Sequence, residues 1–352
     1  MKPNFRVLGA GIWGLSFSNY LLSLGHNVEI FCRNTDLTNK NLPINISSEL
    51  NDMEIKSLRT LNDYNASDAI NIVAVNSKGF SDLLNKNKNY FHGIKELVWL
   101  TKGLDHETGS LLSNVAYDIT RPKNKDIDSF GNLEIGIISG PSFAKDLFDK
   151  KNISVSFATN SPSLQEIMMD ATSSSYFKMI PTTWLWHIEI SGIIKNIAAI
   201  LSGMADHYYG SGEHTNNIIK KACNESMEMA FAIYFGYLTM QPDDIGLFNI
   251  ISKDKDKIKK EVLNSPGFIG DMILTCKQKQ SRNYQFGYLI AEPNIDITEA
   301  VRKVGTVEGY DCCLTLVEKS CLKKGELVNT LYKIINEDGS QRQNILDEFL
   351  QT

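Results

Sequence analysis

The chain has no C-x-x-C pair. Its six cysteines, at positions 32, 223, 276, 312, 313 and 321, follow no framework spacing. That excludes a disulfide-stapled scaffold and a thiolate zinc site, and it fits a reducing compartment, with Cys312-Cys313 read as packing rather than redox chemistry. The six histidines form no H-E-x-x-H or other ligand cluster, so no metal is expected. No uncharged apolar run reaches the roughly 18 residues of a bilayer span, and no membrane insertion is expected. Met1-Lys2-Pro3-Asn4-Phe5-Arg6 runs straight into an apolar segment, so no signal peptide is expected. The expected location is therefore cytoplasmic. A formal charge of −5 offers no basic field, which argues against a nucleic-acid partner. Repeats and long Pro/Gly linkers are also missing.

What is present is a globular composition, 42% hydrophobic and 22% charged, over 352 residues. That length exceeds one domain of common size, so two are expected.

The tightest local signal is Val7-Leu8-Gly9-Ala10-Gly11-Ile12-Trp13-Gly14, three glycines at G-x-G-x-x-G spacing between a short strand from Phe5 and a helix over 15–22. Gly9 allows a tight turn, Gly11 lets a pyrophosphate approach the backbone, and Gly14 lets the helix lie close on the strand. The helix N-terminus then offers N–H groups to the anion, so a dinucleotide is the expected cofactor. The next strand, 28–33, ends in Arg33, where an acidic residue would accept hydrogen bonds from a free ribose 2'-hydroxyl. A cation there tilts the cofactor toward NADP over NAD. A stacked or solvent-facing arginine is the competing reading, with Asp36 close by.

Residues 35–66, rich in Asn, Ser, Thr, Asp and Lys, read as short helices and polar loops. Buried strands follow at 69–75, 96–100, 135–139 and 153–158, in an alternation with helices that predicts a doubly wound, Rossmann-like α/β domain over 1–181. From Trp184 the apolar residues recur at helical spacing, as in Ile190, Ile193, Ile194, Ile197, Ala198, Leu201 and Met204. Weaker helical patterns continue through 251–263 and beyond Glu299. An all-α domain over 182–352 is expected.

Alcohol–ketone chemistry on a nicotinamide needs a group to move the hydroxyl proton. Lys195, inside the most apolar helix, fits that need, although a snorkelling surface lysine is the competing reading. Asn196 points about 100° away on the same helix. Asp271 and Thr275 share a helical face. Ser281-Arg282-Asn283 groups a guanidinium fork with a hydroxyl and an amide, which suits a phosphate, as does many a solvated arginine.

These residues together resemble the NAD(P)-dependent glycerol-3-phosphate dehydrogenases of bacterial type, over most of the chain. The matches run in order through Gly9 to Gly14, Thr101-Lys102-Gly103-Leu104, Gly140-Pro141-Ser142-Phe143-Ala144, Lys195-Asn196, Gly267 to Cys276, Ser281-Arg282-Asn283 and Val307-Glu308-Gly309. The resemblance implies interconversion of dihydroxyacetone phosphate and sn-glycerol 3-phosphate for phospholipid precursors, by a cytoplasmic homodimer. It implies that Lys195 transfers the proton, with Lys102 and Asp271 also catalytic. Lys102, Gly140, Ser142, Lys195, Asp271, Thr275, Ser281, Arg282 and Asn283 would bind the substrate. Gly9, Gly11, Ile12, Trp13, Gly14, Arg33, Lys102, Ala144, Arg282 and Glu308 would bind NAD or NADP.

The departures from the pattern are Val75-Asn76-Ser77-Lys78 in place of Val-Pro-Ser-His, Gly212-Glu213-His214 in place of a Gly-Asp-Asn segment, Ala222-Cys223 in place of Arg-Gly, and about ten extra polar residues between Asp243 and Ser265. They touch support around the site more than its chemistry. They also keep open a weakened nucleotide-sensing module, beside a dehydrogenase of another small hydroxy substrate.

Overall fold

The computed structural model describes residues 2–34, 54–92, 94–120, 133–210, 212–240 and 255–352. The chain divides into two compact units, Met1–Asp105 with Leu111–Leu185, and His106–Ser110 with Trp186–Thr352.

The first unit is built on strands β1 (Asn4–Leu8), β2 (Asn27–Cys32), β3 (Glu54–Ser57), β4 (Ile70–Val73), β5 (Glu96–Trp99), β6 (Glu134–Ser139), β7 (Ile153–Thr159) and β8 (Phe177–Thr182). Helices α1 (Ile12–Ser23), α2 (Ser77–Lys86), α3 (Lys88–Phe91), α4 (Leu112–Thr120), α5 (Ala144–Phe148) and α6 (Pro162–Ala171) connect them. One sheet holds all the strands in the order β3-β2-β1-β4-β5-β6-β7-β8. Every pairing is parallel except β6 with β7. Helices on such a sheet bury its inner strands, and Phe5, Val7 and Leu8 of β1 are 0% exposed. Because β2 lies on one side of β1 and β4 on the other, the chain leaving Leu8 enters the crevice where the strand order reverses, the place where doubly wound sheets bind ligands.

Two strands have no counterpart in the sequence reading. β3 lies in 35–66, read as helices and loops. Residues 35–53, with Asp36, lie outside the described residues. Among the described residues β3 is an edge strand paired only with β2, so it needs no apolar run. Its Lys56 pairs with Glu29 of β2 and lies 4.6 Å from the Tyr64 ring centre. At the other edge, β8 carries Pro181, tolerated where no further strand needs its N–H.

Among its described residues the second unit is helical. It contains α7 (Leu185–Tyr209), α8 (Glu213–Met240), α9 (255–263), a π turn (Pro266–Gly270), α10 (Asp271–Lys277), α11 (Arg282–Ile290), α12 (Ile297–Val304), α13 (Glu308–Glu318), α14 (Glu326–Asn336) and α15 (Arg342–Gln351). α7 is the axis of this unit. Ile197, Ala198, Ala199 and Ile200, pointing about 100° apart in succession, cover all its sides and are all 0% exposed. This helix is long and apolar enough to cross a bilayer, but its most apolar stretch is 100% buried, so it is a core helix. The extra polar residues noted after Asp243 lie partly outside the described residues; from residue 255 they are helical.

Close helix crossings rest on glycine. A Cβ on Gly203 of α7 would stand 2.1 Å from the Tyr284 carbonyl oxygen of α11, and one on Gly287 would stand 1.9 Å from that of Ile200. No other side chain fits at this spacing, which brings the first turn of α11 against α7.

Candidate active site

In the first unit the three fingerprint glycines occupy one turn after β1 and do three different jobs. Gly9 has φ +127°, and a Cβ there would lie 2.5 Å from the Ala74 carbonyl oxygen, so the turn is both left-handed and pressed against the end of β4. A Cβ on Gly14 would lie 2.0 Å from the Gly9 carbonyl oxygen, which fixes α1 onto the turn. Gly11 differs: a Cβ there meets nothing within 4 Å. It is the N-cap of α1, with no side-chain cap and no acidic residue in the first turn. Open space in front of an uncapped helix N-terminus is what a pyrophosphate requires. Ile12 is 45% exposed beside it, while Trp13 packs partly buried against the core of the sheet. Arg33 is exposed, just past the end of β2.

Other expected residues leave the same ends of the strands. Thr101 donates to the Val75 carbonyl at 2.8 Å, tying the exits of β5 and β4 together, and half-buried Lys102 follows it. Gly140, just past β6, is held so close to β7 that a Cβ would lie 2.7 Å from Val155 Cα. Ser142 donates to the Gly140 carbonyl at 3.3 Å, and buried Ala144 opens α5. The departure at Val75-Asn76-Ser77-Lys78 has a local explanation. Asn76 caps α2, accepting from Gly79 N–H at 2.9 Å, so the helix start is secured by an amide in place of a proline ring.

In the second unit Lys195 is no surface lysine. Its Nζ donates to Asp271 Oδ1 at 2.6 Å, and the two side chains are 7% and 3% exposed. α7 supplies the lysine; the aspartate opens α10 directly after the π turn, a distortion common at functional sites. Two opposite charges this deeply buried persist only when paired. Thr275, on the same helix, donates its hydroxyl to the Asp271 backbone carbonyl at 2.7 Å.

Sequence reasoning assigns Asn196 no role beyond its place in the Lys195-Asn196 motif, yet it is the centre of an amide relay. Gly309 N–H donates to Asn283 Oδ1 at 2.9 Å, Asn283 Nδ2 donates to Asn196 Oδ1 at 2.9 Å, and Asn196 Nδ2 donates to Glu308 Oε2 at 3.2 Å. The relay joins α7, α11 and the start of α13, so three of the expected motifs meet in one hydrogen-bonded chain. Ser281 is the N-cap of α11, half-buried and with no side-chain cap bond, and Arg282 after it is exposed. Within this unit the structure therefore brings Lys195 together with Asp271, and links Asn283 to Glu308 through Asn196.

The departures in α8 are structural. Ala222 and Cys223 are 0% and 5% exposed within the helical core. His214 holds its ring 4.7 Å from that of Tyr209, tilted by 49°.

Comparison with known proteins matches residues 4–165 to the NAD-dependent glycerol-3-phosphate dehydrogenase N-terminus and 185–346 to the C-terminus of the same family. A glycerol-3-phosphate dehydrogenase [NAD(P)+] of Alcanivorax borkumensis is 25% identical over 95% of this chain and 90% of its own. One from Wigglesworthia glossinidia brevipalpis is 28% identical over 99% and 98%. Among solved structures, the glycerol-3-phosphate dehydrogenase of Coxiella burnetii shares the fold with a TM-score of 0.73 at 21% identity, covering 100% of this chain and 99% of that one.

Proposed function

Because the chain belongs to the NAD-dependent glycerol-3-phosphate dehydrogenase family, we propose that it interconverts dihydroxyacetone phosphate and sn-glycerol 3-phosphate with NAD(H) or NADP(H). The observation that carries the reading is the buried Lys195–Asp271 pair, a proton-transfer group held in a dry site beside its orienting carboxylate.

The turn at Gly9, Gly11, Ile12, Trp13 and Gly14 fits a dinucleotide, since the space in front of Gly11 is open and α1 presents its N-terminus there. Lys102, Ala144, Arg282 and Glu308 complete the set we assign to the cofactor, and exposed Arg33 favours a form carrying a 2'-phosphate. When bound, the reduced nicotinamide supplies the hydride that reaches C2 of the ketone.

The chain's own residues handle the proton and the anion. Lys195 Nζ gives a proton to the oxygen on C2 as it gains alkoxide charge; in the reverse direction it takes the proton back. Asp271 orients the ammonium and keeps it paired between turnovers. Ser281, Arg282 and Asn283 bind the phosphate, with Gly140, Ser142 and Thr275 completing the substrate contacts and Lys102 adding positive charge at the developing oxyanion. The same reading makes the protein a cytoplasmic homodimer serving phospholipid precursor synthesis.

The test is loss of reduced-nicotinamide absorbance with dihydroxyacetone phosphate, run in parallel with NADH and NADPH and with unphosphorylated dihydroxyacetone. Turnover that requires the phosphate supports the proposal. Cofactor binding without turnover would point instead to a nucleotide-binding module.

A further inference from the structure

A carboxylate outside the residues discussed so far holds the phosphate-binding stretch. Asp206 lies near the end of α7 and is 8% exposed. Its Oδ2 accepts a hydrogen bond from the Tyr284 hydroxyl and lies 2.9 Å from Lys279 Nζ. Those two partners bracket Ser281, Arg282 and Asn283: Lys279 stands before α11, and Tyr284 is in its first turn.

The surrounding backbone makes the latch specific. Gly203, three residues before Asp206, is the close contact of α7 with Tyr284, so the carboxylate continues the line along which the helices touch. On the other side Asn283 is fixed by Asn196 and by Gly309 N–H. Between these anchors Ser281 N–H donates to the Gln278 carbonyl at 2.9 Å and closes the turn. Exposed Arg282 is thus carried on a segment tied at both ends, while Asp206 itself reaches no residue assigned to substrate or cofactor. A buried carboxylate with a phenol and an ammonium on one oxygen forms short, charge-assisted bonds that set geometry as well as energy.

We infer that Asp206 is a positioning residue for Ser281-Arg282-Asn283, setting the affinity for the substrate's phosphate, an inference that rests on the phosphorylated substrate proposed above. It acts through Tyr284 and Lys279 on the placement of the guanidinium fork.

The test measures the dissociation constants of inorganic phosphate, glycerol 3-phosphate and NADPH by calorimetry for wild type, Asp206→Asn and Tyr284→Phe, with KM and kcat for dihydroxyacetone phosphate beside them. Asp206→Asn is expected to weaken both phosphate ligands and raise KM by about tenfold, with kcat within about threefold and NADPH affinity within about twofold. Tyr284→Phe, which keeps the Lys279 pair, shifts the same quantities less and decides the matter if Asp206→Asn does not fold. Unchanged phosphate affinity, an equal loss for phosphate and NADPH, or no phosphate binding by wild type would each overturn the inference. Phosphate affinity that falls in Asp206→Asn, together with a wild type that does not reduce dihydroxyacetone phosphate, would contradict the proposed reaction and leave the positioning role standing.

Discussion

Gly309 approaches Asn196 so closely that a Cβ on it would stand 2.4 Å from the Asn196 carbonyl oxygen. That contact presses the start of α13 onto α7 at the point where the amide relay crosses between them. Gly309→Ala is therefore expected to push the helices apart, cost about 1–3 kcal/mol in urea denaturation, and lower turnover as well. An alanine variant with unchanged stability would show that the backbone accommodates the methyl group.

Gly11→Ala makes the opposite case. With φ −77° at this N-cap and no atom within 4 Å of a new Cβ, the fold should lose no more than about 1 kcal/mol, the cost of alanine at an N-cap. The methyl group would instead occupy the space assigned to the pyrophosphate. Fluorescence titration should show NADH or NADPH binding weakened by at least tenfold, with the melting temperature lowered by no more than about 4 °C.

Removing one partner of the buried pair leaves the other charged and dry. Lys195→Ala should cost about 3–5 kcal/mol of stability, and adding Asp271→Asn should return part of it by removing the stranded charge. Denaturation of the two single variants and the double variant closes this cycle. Additive losses would mean the pair is not coupled.

Thiol chemistry gives a separate check on packing in both units. Among the six cysteines Cys321 is exposed and the other five are buried. Burial pushes the thiol of Cys223 up to about 11, and those of Cys276 and Cys313 up to about 12. In a thiol titration at mildly alkaline pH the folded protein should react quickly at Cys321 alone, and at all six positions after denaturation. Fast reaction at the Cys312-Cys313 pair would contradict its place in the core.

Much of the first unit is legible because its strands are covered on both faces and so appear as apolar runs, as in Leu97-Val98-Trp99 of β5. The glycine spacing located α1 for a steric reason the structure bears out at Gly9 and Gly14. β3 escaped because an edge strand such as Glu54–Ser57 carries no such run, and β8 because Phe177–Thr182 mixes a lysine and a proline into its pattern. The antiparallel junction of β6 and β7 has no local sequence signature. In the second unit the apolar neighbours of Lys195 left a surface position open, and the structure buries it. Asn196 and Asp206 were passed over because their partners come from helices distant in sequence: Glu308 and Asn283 for one, Tyr284 and Lys279 for the other. Helix-face reasoning sees only neighbours along one helix.

The central claim is that Lys195 moves the proton in a phosphate-dependent ketone reduction. It is tested most directly by following reduced-nicotinamide oxidation with saturating dihydroxyacetone phosphate in wild type and Lys195→Ala, below the melting point of both. The account predicts turnover by wild type and a loss of at least about a hundredfold in kcat for the variant, with cofactor affinity retained. A variant that turns over at the wild-type rate would contradict it.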